Sequence, residues 1–124
     1  MSLVLAIDDS PTIALLLRRR LETAGYSVEI SGDGLDAIDR LQSGLDPDLI
    51  LADVMMPGMD GLSTLGRLRE IRPDLPVVLV TGRELRPAER AKADAVFSKP
   101  IDFDALLSEI ARLCGRAGDA AGPA

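Results

Sequence analysis

The 124-residue chain contains no histidine and no tryptophan. Without imidazole, histidine-based acid–base catalysis is excluded, and so are most transition-metal sites. The aromatic residues are Tyr26, Phe97 and Phe103, 2% of the sequence, too few for a platform on which bases stack. Cys114 is the only cysteine, so no internal disulfide can form and a reducing compartment is expected. Its expected role is that of a small apolar residue near a helix end. No apolar run approaches the roughly 20 residues of a membrane span, and no signal-peptide pattern opens the chain. A cytoplasmic location with no membrane partner is therefore expected. Positive charge is in deficit too: 14 Lys and Arg against 20 Asp and Glu leave a net charge of −6, which opposes direct nucleic-acid binding. Arginines at 18–20 and 67–72 recur at helical spacing among acids and read as solvated helix faces.

What is present describes a compact soluble fold. Hydrophobic residues make up 47% and charged residues 27%, and the length suits one domain, with residues 1–116 as the body and 117–124 as a flexible tail or linker stub. LVLAI (3–7) reads as a strand buried on both faces. Ser10 then stands as an N-cap with Pro11 at the first helical position, and Ile13, Leu16, Leu17, Leu21 and Ala24 recur at helical spacing up to Gly25. YSVEI (26–30) alternates as a half-buried strand near a sheet edge does. A short helix over 32–44 carries Leu35, Ile38 and Leu41. DLILA (48–52) is strand-like, and a helix over 61–72 places Leu62, Leu65, Leu68 and Ile71 on one face. LPVVLVT (75–81) and AVFS (95–98) are strands, and 102–115 is an amphipathic helix with Asp102 as its cap.

Five strands alternating with helices predict an α/β fold: a doubly wound, five-stranded parallel sheet of the flavodoxin-like kind. In such sheets chemistry gathers at the carboxyl ends of the strands. Those ends are Asp8 and Asp9, Ser31 and Gly32, Asp53, Thr81, and Lys99 followed by Pro100. Each alone is commonplace; together they put three carboxylates, one hydroxyl and one ammonium on one rim. Like charges about 4 Å apart repel by roughly 4 kcal/mol at an effective dielectric near 20, so either a carboxylate stays protonated or a cation joins the group. Hard oxygen ligands with positions left for water suit Mg²⁺. With Lys99 and the Thr81 hydroxyl they frame a phosphoryl group, and Asp53, from the central strand, is the best nucleophile.

DDSP at 8–11, DVMMPGMDG at 53–61, VTG at 80–82 and KPI at 99–101 resemble the receiver domain of two-component response regulators, the chemotaxis-type fold, over residues 3–114, and this resemblance implies the strand order 2-1-3-4-5. The resemblance implies that Asp53 accepts a phosphoryl group from a sensor histidine kinase or a histidine phosphotransfer protein. It further implies that Asp9, Asp53 and the Met55 main-chain carbonyl ligate Mg²⁺ while Asp8 acts largely through water. Thr81 and Lys99 would each meet a phosphoryl oxygen, and the Lys99–Pro100 bond would be cis. Pro57, Gly58 and Gly61 would shape the loop beside Asp53, with Met56 and Met59 packing it. Such a protein catalyses only its own phosphorylation and dephosphorylation, and phosphorylation changes its output face. The output domain or target is not named by the sequence. Phosphorylation-dependent dimerisation is left open, with the region from residue 83 to the last helix as its candidate surface.

Two departures from the family stand out. Receivers usually carry a switch aromatic three residues before the lysine, where this chain has Val96; Phe97 is one position off and points to the other strand face. The stretch between Thr81 and Lys99 is also shorter than usual by roughly a helical turn. Within it, RELRPAERAKADA (83–95) has one large apolar residue, Leu85, and is interrupted by Pro87. A reduced fourth helix is expected, as in a minority of receivers, with ordering of that segment replacing the aromatic as the signal. Asp9→Asn is expected to raise stability without metal. The competing readings are an interaction scaffold of the same fold that takes no phosphate, an aspartate-nucleophile hydrolase, and a flavin binder. The hydrolase wants a second aspartate where Met55 stands, and three acids oppose a flavin phosphate.

Overall fold

The computed structural model describes residues 2–55 and 61–118. In chain order the elements are β1 (Leu3–Ile7), α1 (Pro11–Thr23), β2 (Ser27–Ser31), α2 (Gly34–Gln42), β3 (Leu49–Asp53), α3 (Gly61–Ile71), β4 (Val77–Thr81), α4 (Pro87–Arg90), β5 (Ala95–Ser98) and α5 (Phe103–Gly118). All five strands pair in parallel in the order β2-β1-β3-β4-β5, the expected doubly wound sheet. β3 and β4 are buried at every position, which explains why their sequences are continuous apolar runs rather than alternating ones. Two apolar layers flank the sheet. One gathers Leu5, Ile50 and Leu79 with α2 and α3; the other gathers Val4, Leu51 and Val78 with α1 and α5.

Local chemistry sets the helix ends. Ser10 Oγ accepts the Ile13 N–H at 3.4 Å, and Pro11 follows it at the first helical position, where a missing N–H removes no intrahelical bond. After α1 the chain reverses through Gly25 at φ +100°, a backbone region that glycine enters without steric penalty. Asp33 caps α2 through the Asp36 N–H at 2.8 Å. Asp102 Oδ1 accepts the Ala105 N–H at 3.1 Å, the expected cap of α5.

Three sequence expectations are corrected. Ala14 is buried in α1, whereas Leu16 is exposed and Ala24 lies outside the core; the sheet-facing stripe is Ala14, Leu17 and Leu21. Leu35 points to solvent at 60% exposure while Ala37 joins Ile38 and Leu41 in the core, because a nine-residue helix at the sheet's flank has room for only one buried stripe. Pro87 does not interrupt α4 but begins it. The fourth helix is four residues long and buries none of them; Leu85, just before it, is the anchor at 3% exposure. Val96 packs with the α2–α3 layer and Phe97 with the α1–α5 layer, on opposite faces as the one-residue shift requires. α5 continues to Gly118; residues 119–124 of the expected tail lie outside the described residues.

β2 is an open edge of the sheet, and two arginines cover it. Arg18 of α1 donates to the Val28 carbonyl at 3.1 Å, and Arg40 of α2 donates to the Ile30 carbonyl at 2.7 Å. Edge carbonyls left free invite pairing with another chain. Other arginines of the two expected faces also engage within the fold: Arg20 lies over the Phe103 ring at 4.8 Å, Arg69 pairs with Asp94, and Arg72 with Asp46 and Asp74, while Arg19 and Arg67 are exposed. Among the described residues no helix is long and apolar enough to cross a membrane.

Candidate functional site

The parallel sheet delivers its strand ends to one rim, where the side chains of Asp8, Asp9, Asp53 and Lys99 meet, with Thr81 at the end of β4 between β3 and β5. Asp8 and Asp53 are buried at 5% and 4% exposure, Thr81 is buried, and Asp9 is exposed. One carboxylate oxygen from each of Asp8, Asp9 and Asp53 lies within 4.8 Å of the others. Lys99 enters from the end of β5 and places Nζ 3.2 Å from Asp53 Oδ2. Three carboxylates facing a single ammonium leave an excess of negative charge at the rim.

Each side chain is aimed by its own main chain. Asp8 Oδ1 accepts the Ser10 N–H at 2.8 Å, so the turn that caps α1 also orients this carboxylate. Asp53 Oδ1 accepts the Met55 N–H at 3.1 Å, which leaves Oδ2 to Lys99. The Lys99 N–H donates to the Thr81 carbonyl at 2.8 Å, extending the β4–β5 pairing by one rung. The Lys99–Pro100 peptide is cis, as the resemblance implied. Burial pushes the Asp8 carboxyl above its ordinary value; the Ser10 N–H opposes this, the Asp53 charge adds to it, Lys99 opposes it and Asp9 adds a little more.

Gly61 lets α3 start directly against this rim. Its N–H donates to the Val54 carbonyl at 2.9 Å, and a Cβ there would overlap the Asp53 carbonyl oxygen and lie 2.7 Å from Val54 Cα. Only glycine permits that approach. Pro57 and Gly58, expected to shape the same loop, and Met56 and Met59, expected to pack it, lie outside the described residues. Met55 itself is exposed at 56%.

Thr81 is where sequence reading stopped short. Its hydroxyl donates to the Arg83 carbonyl at 2.9 Å and accepts the Arg83 N–H at 3.0 Å. The signal was present: a threonine followed by glycine favours such a side-chain turn.

The arrangement can hold a divalent cation and present a buried carboxylate, flanked by an ammonium, to an electrophile. Comparisons with known proteins point the same way. A family model described as the response regulator receiver domain matches residues 4–111. The response regulator MprA of Mycobacterium sp. (strain KMS) is 37% identical over 125 residues, covering 97% of this chain and 54% of that protein. MprA of Mycobacterium leprae (strain TN) is 38% identical over 118 residues, covering 91% and 51%. The chain thus spans about half the length of the curated relatives it matches. Among solved structures, the response regulator TrrA of Thermotoga maritima in complex with Mg(2+)-BeF superposes with a TM-score of 0.84 at 30% identity, covering 91% of this chain and 99% of that one. Chemotaxis protein CheY4 of Vibrio cholerae gives 0.82 at 31% identity, covering 91% and 98%.

Proposed function

The chain belongs to the response regulator receiver domain family of two-component signalling, and from that premise we propose that Asp53 accepts a phosphoryl group from the phosphohistidine of a histidine kinase or a histidine phosphotransfer protein. The observation that carries this reading is the buried Asp53 carboxylate, held 3.2 Å from the Lys99 ammonium and within reach of two further aspartates.

The donor set fits Mg²⁺. The ion takes hard oxygen ligands in an octahedron at about 2.0–2.1 Å and keeps several waters, and three carboxylate oxygens within 4.8 Å of one another can surround such an ion and its waters. Burial is the first cause of the raised Asp8 pKa, and the Asp53 and Asp9 charges, which a cation would offset, add to it. Asp9, Asp53 and the Met55 carbonyl would be direct ligands, with Asp8 acting through water. When bound, the ion supplies positive charge against the phosphoryl oxygens.

The protein's own groups do the rest. An oxygen of Asp53 attacks phosphorus in line with the histidine nitrogen; the P–N bond breaks, an acyl phosphate forms and the departing imidazole takes up a proton. Lys99 moves from Asp53 Oδ2 to a phosphoryl oxygen, and the Thr81 hydroxyl donates to another. Hydrolysis reverses the state when water attacks the same phosphorus and Asp53 leaves as a carboxylate. No other substrate is turned over, and the result is an altered output face.

Intact mass after incubation with Mg²⁺ and acetyl phosphate tests this. The parent gains one phosphoryl group and Asp53→Ala gains none. A parent that neither gains mass nor binds beryllofluoride with Mg²⁺ would overturn the reading in favour of a scaffold that takes no phosphate.

A further inference from the structure

β2 lies at the edge of the sheet and pairs with β1 alone, yet its last residue supports the rim. The Asp8 N–H donates to the Ser31 carbonyl at 3.0 Å, and the Asp8 carboxylate accepts the Ser10 N–H at 2.8 Å. The main chain of Asp8 is therefore fixed by β2 and its side chain by the turn into α1. A strand end held from one side opens more readily than a central one, and Arg40 of α2 supplies the second support. Its guanidinium donates to the Ile30 carbonyl at 2.7 Å and to Ser31 Oγ at 3.2 Å, and pairs with Glu29 Oε1 at 2.5 Å. One planar fork thus holds three consecutive residues. Covering the edge needs only the bond to Ile30; the bond to Ser31, which is 1% exposed, reaches the residue that carries Asp8. Arg18 covers the same edge at Val28, nearer the start of the strand.

We propose that Arg40 is a positioning residue for the cation site: by clamping residues 29–31 it fixes the Ser31 carbonyl, and through it the place of the Asp8 carboxylate beside Asp9 and Asp53. The inference rests on the rim binding Mg²⁺. What the clamp preserves is the approach of three carboxylate oxygens to within 4.8 Å of one another, which a shift at the end of β2 would open. Groups that orient the ligands of a metal site from outside it set affinity as the ligands themselves do. Beyond burial and the Ser10 N–H, the groups that act on the Asp8 carboxyl are Asp53, Lys99 and Asp9, and the Arg40 charge is offset by Glu29. The influence of Arg40 on the rim therefore runs through the main chain. The sign of its removal separates the two routes. Taking away a neighbouring positive charge would tighten a cation site, whereas taking away a positioning contact loosens it.

Mg²⁺ alone is titrated into the whole chain and followed by the NMR shifts of the rim amides. Arg40→Ala raises the Mg²⁺ Kd by roughly five-fold, the scale of one lost hydrogen bond. Arg18→Ala removes the other edge guard and leaves the Kd at the parent value. Glu29→Gln spares the contacts to Ile30 and Ser31 and leaves it there too. In the metal-free protein, Arg40→Ala speeds exchange of the Asp8 N–H beyond any change at the Ile50 N–H, which bonds to the Pro76 carbonyl inside the sheet and reports global opening. If Arg40→Ala does not fold, Arg40→Lys is read in its place; it keeps the charge, loses the fork and weakens Mg²⁺ binding in the same direction. A Kd that is unchanged or lower once the clamp is broken overturns the proposal. Equal weakening in Arg18→Ala does so as well, and so does Asp8 exchange that merely follows Ile50. A parent whose rim amides ignore Mg²⁺ overturns the cation-site reading, and the proposal with it.

Discussion

Lys99 Nζ sits 3.2 Å from Asp53 Oδ2, and the two residues are 46 positions apart in sequence. The aspartate is almost fully buried, and the ammonium, about one-third exposed, is the cation that faces it. Removing the lysine would leave a buried carboxylate without an ionic partner. Lys99→Met should lower the unfolding free energy in metal-free buffer by about 1–2 kcal/mol, less than a fully buried pair would because water screens the lysine. Millimolar Mg²⁺ should recover most of that loss. Urea unfolding with and without Mg²⁺ measures both, and a loss that Mg²⁺ does not touch would count against the site as a cation site.

Asp8 is a rim carboxylate that burial penalises. Unlike exposed Asp9, for which sequence predicts a metal-free gain from Asp9→Asn, Asp8 is buried and its pKa is raised first by desolvation. A raised carboxyl binds its proton more tightly in the folded state than in the unfolded one. Stability therefore falls as pH rises from the ordinary value of 3.8 through the folded-state pKa. Asp8→Asn should raise the metal-free Tm near neutral pH, keep the bond from the Ser10 N–H, and weaken Mg²⁺ binding. Its advantage should shrink as pH is lowered toward 3.8; an advantage constant across the acid range would reject desolvation as the cause.

Arg40 guards the edge of the sheet. It donates to the Ile30 carbonyl and to Ser31 Oγ, and pairs with Glu29. Arg40→Ala should cost about 1 kcal/mol, the usual scale for a lost partly exposed hydrogen bond. It should also raise light scattering on storage at high concentration, because β2 then presents free carbonyls. Unchanged scattering would leave Arg40 without an edge-guarding role.

Thr64 of α3 packs its hydroxyl against Gly34 of α2. The oxygen is fully buried and has no hydrogen-bond partner among the described residues, and a Cβ at Gly34 would overlap it. Thr64→Val should be neutral or stabilising by up to about 1 kcal/mol, since an unpaired buried hydroxyl is replaced by a methyl group of the same shape. Gly34→Ala should destabilise by about 1–3 kcal/mol through overpacking, and Thr64→Ala in the same chain should recover much of it. Thermal melts of the single and double variants decide this; strict additivity would show that the two residues do not collide.

Beyond the strand order, which the family resemblance implied, the sequence by itself determined the parallel sheet and the five rim residues. These follow from local patterns: continuous apolar runs for two-sided burial, capping residues at helix starts, and chemistry placed where strands end. It also located the short fourth helix, because a stretch with Leu85 as its one large apolar residue has no stripe to pack. Only the tertiary structure decided that Ala14 rather than Leu16 faces the sheet and that Leu35 faces water, since periodicity says which residues share a face but not how far the neighbouring layer covers it. It alone showed Asp8 buried and Asp9 exposed, a difference that neighbouring positions do not reveal. It alone brought Lys99 onto Asp53, and gave the Thr81 hydroxyl a partner at Arg83. Residue types announce what chemistry a strand end can do; the competition among nearby partners for one proton or one charge is settled only when the elements are packed together.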